Sequence, residues 1–166
     1  MGANVASGAT SKVLCLMQGP NGINASLLAM QQAESPNGGF AATVQVMAQN
    51  VTPDLVEKST AMRYPTANIY CEKVVNTLKE KFRSFSGRVE MVMEIRHSQD
   101  GLEGLEGALE LYTDAAAQAL DATRGDWGNG MFYSGGYEIS FGAVKRGGRG
   151  FLQAARIGFD IGVSLS

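Results

Sequence analysis

The chain has 166 residues, of which 45% are hydrophobic and 18% charged, and its formal net charge is −2. This length supports a single domain with a proper core and needs neither metal nor disulfide to hold it. The mildly acidic balance argues against a protein that grips nucleic acid through a general basic surface, while local basic patches stay open.

The 21 glycines point to many turns and close backbone approaches. Cys15 and Cys71 stand apart in apolar surroundings and read as buried, reduced thiols of a cytosolic protein. Nothing approaches the ~18 consecutive apolar residues of a membrane span. The apolar run at 13–17 is shorter than the ~7–15 residues of a signal-peptide core. The expectation is a protein made in the cytosol, without a membrane partner.

Residues 1–12 are rich in Gly, Ala, Ser, Asn and Thr and are expected to form a flexible arm that orders only against a neighbour. Residues 13–166 are expected to form one domain. Asn24, or Asn21 before it, suits the cap of a short helix in which Ile23, Leu27, Leu28 and Met30 share a face. That helix should stop before the Ser35-Pro36-Asn37-Gly38-Gly39 loop. Residues 40–48 alternate, with Ala42, Val44, Val46 and Ala48 on one side, and predict a strand. A weakly patterned segment runs from Pro53 to Arg63. After Tyr64-Pro65, the residues Ala67, Ile69 and Cys71 share a strand face.

The stretch 72–85 reads two ways. Val75, Leu78 and Phe82 fit helical spacing, although the piece lies between strand-like segments; Lys79, Glu80 and Lys81 tip the reading to helix. Residues 88–96 form a half-buried strand, with Val89, Met91, Met93 and Ile95 facing one way. Asp100 and Glu103 have the spacing of a capping box. From there Leu102, Leu105, Leu109, Tyr112, Ala116 and Leu120 make the apolar stripe of a long helix that ends at Gly125.

A tight glycine loop at 125–130 leads into a C-terminal β-ribbon. Its first strand, 131–144, places Met131, Tyr133, Tyr137, Ile139 and Phe141 on one face. Residues 145–150 supply the turn. The second strand, 151–165, places Ala155, Ile157, Phe159, Ile161, Val163 and Leu165 opposite Arg156, Asp160 and Ser164. The predicted fold class is α+β: a mostly antiparallel sheet including the ribbon, packed against one long amphipathic helix and one or two shorter ones.

The chemistry is sparse. His97, the single histidine, stands at a strand end beside Ser98 and Asp100, and no nucleophile-elbow motif accompanies it. One histidine and two distant cysteines match no zinc spacing, and no calcium loop is present. Catalytic, metal-ligating and cofactor-binding residues are therefore not expected, nor is enzyme activity. Glu103, Glu106 and Glu110 form an acidic helix face, ordinarily a solvated one. Lys145, Arg146 and Arg149 allow three readings: a hairpin tip kept soluble by charge, a phosphate contact, or an intersubunit salt contact with the acidic helix. Trp127 either anchors its own loop or meets a partner.

Two stretches carry a family likeness. One is 64–73 (YPTANIYCEK), continuing through 78–87 (LKEKFRSFSG). The other is 125–137 (GDWGNGMFYSGGY), followed by 141–148 (FGAVKRGG). Over residues 64–163 the chain resembles tail terminator, or tail completion, proteins of long-tailed bacteriophages. The glycine–aromatic loop is the most specific part, and the first 60 residues match weakly. The resemblance implies a small α/β subunit without enzymatic activity that forms a ring, typically of six copies, on the head-proximal end of the tail tube. Such a ring stops tube polymerisation and meets the neck, head-completion or connector proteins, and genomic DNA later passes through its lumen without sequence-specific binding. The implied location is the virion, after assembly in the host cytoplasm. A second reading is another ring-forming neck or tail component, such as a head-completion or tube subunit. A third is a small nucleic-acid-binding module.

Overall fold

The computed structural model describes residues 4–34, 43–52 and 63–166. Its elements, in chain order, are α1 (Val5–Gln18), α2 (Ile23–Glu34), β1 (Gln45–Ala48), β2 (Thr66–Asn76), β3 (Phe85–Gln99), α3 (Leu105–Asp121), β4 (Gly125–Gly128), β5 (Met131–Tyr133), β6 (Glu138–Phe141), β7 (Lys145–Gly147) and β8 (Gly150–Leu165). The fold is α+β, a mixed sheet with a helical layer on one face.

Two long strands organise the sheet. β3 and β8 pair antiparallel over their whole lengths, from Phe85 opposite Leu165 to Gln99 opposite Phe151. β2 adds on the far side of β3, and β1 adds parallel to β2 at the edge. The strict alternation read from the sequence explains the burial. Val89, Met91, Met93 and Ile95 face the helices together with Ile157, Phe159 and Ile161, all essentially inaccessible. Each fully buried side chain of this size stabilises the fold by roughly 1.5–3 kcal/mol relative to exposure.

The amino-terminal arm was expected to be flexible, and here the structure differs. Residues 5–12 belong to α1, whose Val5, Ala9, Val13 and Met17 recur every four residues and are buried against the sheet. Small residues hid this face: Ala9 and Gly8 give little hydropathic signal, yet they let the helix approach closely. The predicted α2 is present, with Ile23 and Leu27 buried but Leu28 exposed. Asn24 lies inside the helix instead of capping it. Its side chain bonds both backbone groups of Val44, at 2.8 and 3.0 Å, and so ties α2 to the approach of β1. The strand expected at 40–48 is seen as β1, and residues 40–42 and 53–62 lie outside the described set.

The helix favoured for 72–85 is not formed. β2 continues to Asn76, and residues 77–84 make the tip of a β2–β3 hairpin. Strand pairing outweighs the local propensity of Lys79, Glu80 and Lys81 because β3 presents a continuous ladder. Asn76 fixes the tip by accepting from the Leu78 and Ser86 amides.

α3 buries the predicted stripe from Leu105 to Leu120 and starts later than expected. Gly104, at φ +78°, is its N-cap, and no side chain caps it. Asp100 and Glu103 therefore form no capping box. Instead the Gln99 amide donates to the carbonyls of Gly101 and Glu103. Leu102 falls outside the stripe and is exposed. The carboxyl end of α3 is at Asp121, four residues before the expected Gly125.

In the carboxy-terminal ribbon, β8 matches its expected strand, while the outer strand is divided. β5, β6 and β7 pair in succession along one edge of β8. Gly135 and Gly136, at φ +94° and +90°, release the chain between β5 and β6. Between Phe141 opposite Ala155 and Lys145 opposite Leu152, the outer strand spends one residue more than β8, which exchanges its side-chain faces. The basic turn is correspondingly shorter than 145–150, because Lys145–Gly147 is strand and only Gly148 and Arg149 turn. The glycine loop at 125–130 is likewise a hairpin, with β4 paired to β5.

Candidate functional surfaces

The face of the sheet turned away from the helices carries charge in alternating sign. Arg156 binds Glu72 across the sheet, and that hydrogen bond is the main cause raising the guanidinium above its ordinary value. Glu90 lies 3.9 Å from Lys73 and 4.0 Å from Arg88, and Arg88 lies 3.9 Å from Asp160. Arg96, almost fully buried, donates to Glu94 at 2.8 Å and to the Val51 carbonyl. Every cation on these three strands is thus met by a carboxylate. A depression of about 900 Å³ opens beside them where the chain between β5 and β6 departs from the edge of β8, lined by Glu72, Glu90, Tyr137, Glu138, Arg156 and Asp160. Its ionisable lining is mostly acidic, and among the described residues no cluster of His, Cys, Asp and Glu could hold a metal ion.

His97 faces the helices, not a cleft. Its ring meets Tyr112 edge-on with centroids 5.2 Å apart, and Nε2 lies 3.2 Å from the Gln99 amide oxygen. Burial pushes its pKa below the ordinary 6.5, partly opposed by the Gln99 contact. Ser98 points to the opposite face, where its hydroxyl donates to the Phe151 carbonyl at 2.7 Å and accepts from the Arg149 amide at 2.8 Å. The two side chains are therefore on opposite sides of β3.

Trp127 packs within its own hairpin. It is 8% exposed, its indole N–H donates to the Thr123 carbonyl at 2.6 Å, and its ring tilts against Tyr133. Tyr133 in turn meets Phe159 edge-on and donates to the Gly136 carbonyl. Burial, with the nearby Asp121 carboxylate adding, pushes the Tyr133 phenol up to about 12. This aromatic row joins the glycine hairpin to the centre of β8.

Glu103, Glu106 and Glu110 are exposed, as are Lys145, Arg146 and Arg149. The structure brings the two groups to one end of the molecule, where β3 finishes and β8 begins. Register places Lys145 on the face of Leu152 and Ser98, whereas Arg146, level with Phe151 and Gln99, falls on the helical side where the acidic residues follow α3. The cysteines differ from expectation, since Cys15 is exposed and Cys71 only half-buried. Cys15 lies on the outer side of α1, a helix that alternation along the chain did not reveal.

The surface that sequence patterning missed is the β2–β3 tip. Phe82 and Leu78 are exposed there, both with left-handed backbone (φ +65° and +48°), alongside exposed Lys79 and Lys81. Reading 72–85 as a helix put Phe82 on a packed face and concealed it. No helix among the described residues is long and apolar enough to cross a membrane.

Comparison with models of known protein families and with curated proteins finds no match to this chain.

Proposed function

We propose that this chain is a structural subunit of a long-tailed bacteriophage. In this reading it forms a ring, typically of six copies, at the head-proximal end of the tail tube, ends tube polymerisation there and joins the tail to the neck. The observation that carries the reading is the resemblance of residues 64–163 to tail terminator proteins, concentrated in the glycine–aromatic stretch 125–137. Its partners are further copies of itself, the tube protein and a neck or connector protein. No catalytic residue, cofactor or metal takes part, and the chain is not an enzyme.

Two surface properties support the reading. Phe141 is exposed on β6, which pairs only with β8 among the described strands and leaves an edge that a neighbouring subunit would cover, and Phe132 is exposed on β5 between β8 and β4. The sheet face opposite the helices holds its arginines in ion pairs, which suits a wall past which DNA slides without being gripped. The deciding experiment is imaging of assembled particles with the subunit labelled. One ring at the tail–neck junction is expected. A position at the distal tip, or copies along the whole tube, would replace this assignment with a tube or other tail component.

A nucleic-acid-binding reading has one observation in its favour: Lys145, Arg146 and Arg149 are all exposed at the end of the β7–β8 hairpin. It requires salt-sensitive retention of DNA that depends on those three side chains.

A further inference from the structure

The β2–β3 tip combines the most exposed large apolar residue among those described with unpaired positive charge. Phe82 is 99% exposed and Leu78 56%, and Val74, near the end of β2, adds apolar surface. Lys79 and Lys81 precede Phe82 on the same tip, and no ion pair among the described residues engages them. Arg83 is occupied by Glu80 at 3.2 Å. An apolar knob beside free ammonium groups fits a partner surface that is itself apolar and anionic.

The chain carries such a surface at its other end. Leu102 is 58% exposed just before α3. Asp100, Glu103, Glu106 and Glu110 are exposed around it in sequence, and none of them forms an ion pair among the described residues. Of the cations at that end, Lys145 is registered on the Ser98 face, and none of Lys145, Arg146 and Arg149 forms an ion pair with these carboxylates among the described residues. Tip and shoulder are separated by the length of β3, on the order of 45 Å at about 3.3 Å per residue. One subunit cannot bring them together.

We propose that the tip of one copy docks on the α3 shoulder of the next, with Phe82 against Leu102 and with Lys79 and Lys81 toward Glu103 and Glu106. The contact rests on the homo-oligomeric reading above and specifies which surfaces meet. It is heterologous: each joined subunit leaves one tip and one shoulder free until the series closes, which is the contact type a cyclic ring requires. Opposite charge steers the two ends together and disfavours tip-to-tip pairing, while the apolar pair supplies the desolvated centre.

The test uses the full chain in sedimentation velocity over a wide concentration range. The wild type is expected to self-associate. K79E/K81E and F82D are each expected to weaken association roughly 30-fold or more, the scale of a hot-spot loss. The chain carrying K79E/K81E together with E103K/E106K should recover it, and unfolding curves show whether each variant remains folded. In a C15S/C71S background, F82C mixed with L102C should form an intermolecular disulfide that neither gives alone with wild-type partners. A monomeric wild type, or association unaffected by tip variants, overturns the proposal. So does a tip that binds anionic vesicles or DNA while its variants self-associate normally. Rings that persist at the neck of particles carrying K79E/K81E would overturn this contact and leave the terminator assignment standing.

Discussion

His97 shows how a side chain with catalytic potential is turned to packing. Its ring lies against Tyr112 under the helical layer, and burial lowers its pKa below 6.5. An unfolded chain protonates this histidine first as pH falls, so the neutral form contributes stability that is present above about pH 6.5 and is lost below it. Urea unfolding midpoints should therefore fall from pH 7 toward pH 5 in the wild type by more than in His97→Phe, which keeps a ring but cannot titrate. Parallel curves for the two proteins would remove this account. Trp127 is the single tryptophan of the chain. Packed on Tyr133 with its N–H satisfied, it should emit at short wavelength when folded and shift red on unfolding. Trp127→Ala should cost about 3–5 kcal/mol by chemical denaturation, the usual loss for a large buried aromatic.

The elements depend on contacts that are close along the surface and distant along the chain. α1 is held by Val5, Ala9, Val13 and Met17, all buried on β1, β2 and β3. Met17→Ala should destabilise by about 2–5 kcal/mol. Deleting residues 1–12 should lower the unfolding midpoint too, whereas loss of a free arm would leave it unchanged. At the base of the β2–β3 hairpin, Gly87 is set by close approach: a Cβ there would lie 1.9 Å from the Val75 carbonyl oxygen. Backbone cannot yield as a flexible side chain would. Gly87→Ala should therefore cost about 1–3 kcal/mol, and hydrogen exchange should quicken first in β2, from Val74 to Asn76.

At the scale of the whole molecule, charge is distributed by surface. The sheet face opposite the helices is neutralised pair by pair, while Lys79 and Lys81 at the β2–β3 tip and the carboxylates at the start of α3 form no ion pair among the described residues. The basic turn faces outward, and replacing Lys145, Arg146 and Arg149 together by alanine should leave stability within about 0.5 kcal/mol. Filter retention on DNA at low salt should be unchanged by the triple substitution if the structural reading holds. Retention that falls with it and with rising salt would favour the nucleic-acid reading instead.

Alternation along β3 and β8 determined the core strands, because a period of two with one buried face leaves a single register in which the apolar set is covered. The stripe of α3 was legible for the same reason at a period of 3.6. Other features depended on partners far away in sequence. The buried face of α1, Val5, Ala9, Val13 and Met17, is spaced among small and polar residues and becomes recognisable only against the sheet it touches. Residues 72–85 had helical propensity, but the β3 ladder drew the first part into a strand and left Phe82 outside. Charge, too, was readable only as composition until the strands were aligned. Chain order placed Glu103 and Lys145 on separate segments, and the tertiary structure brought them to one end on different faces. Local pattern decides what a segment can bury; the neighbours it meets decide what it leaves exposed.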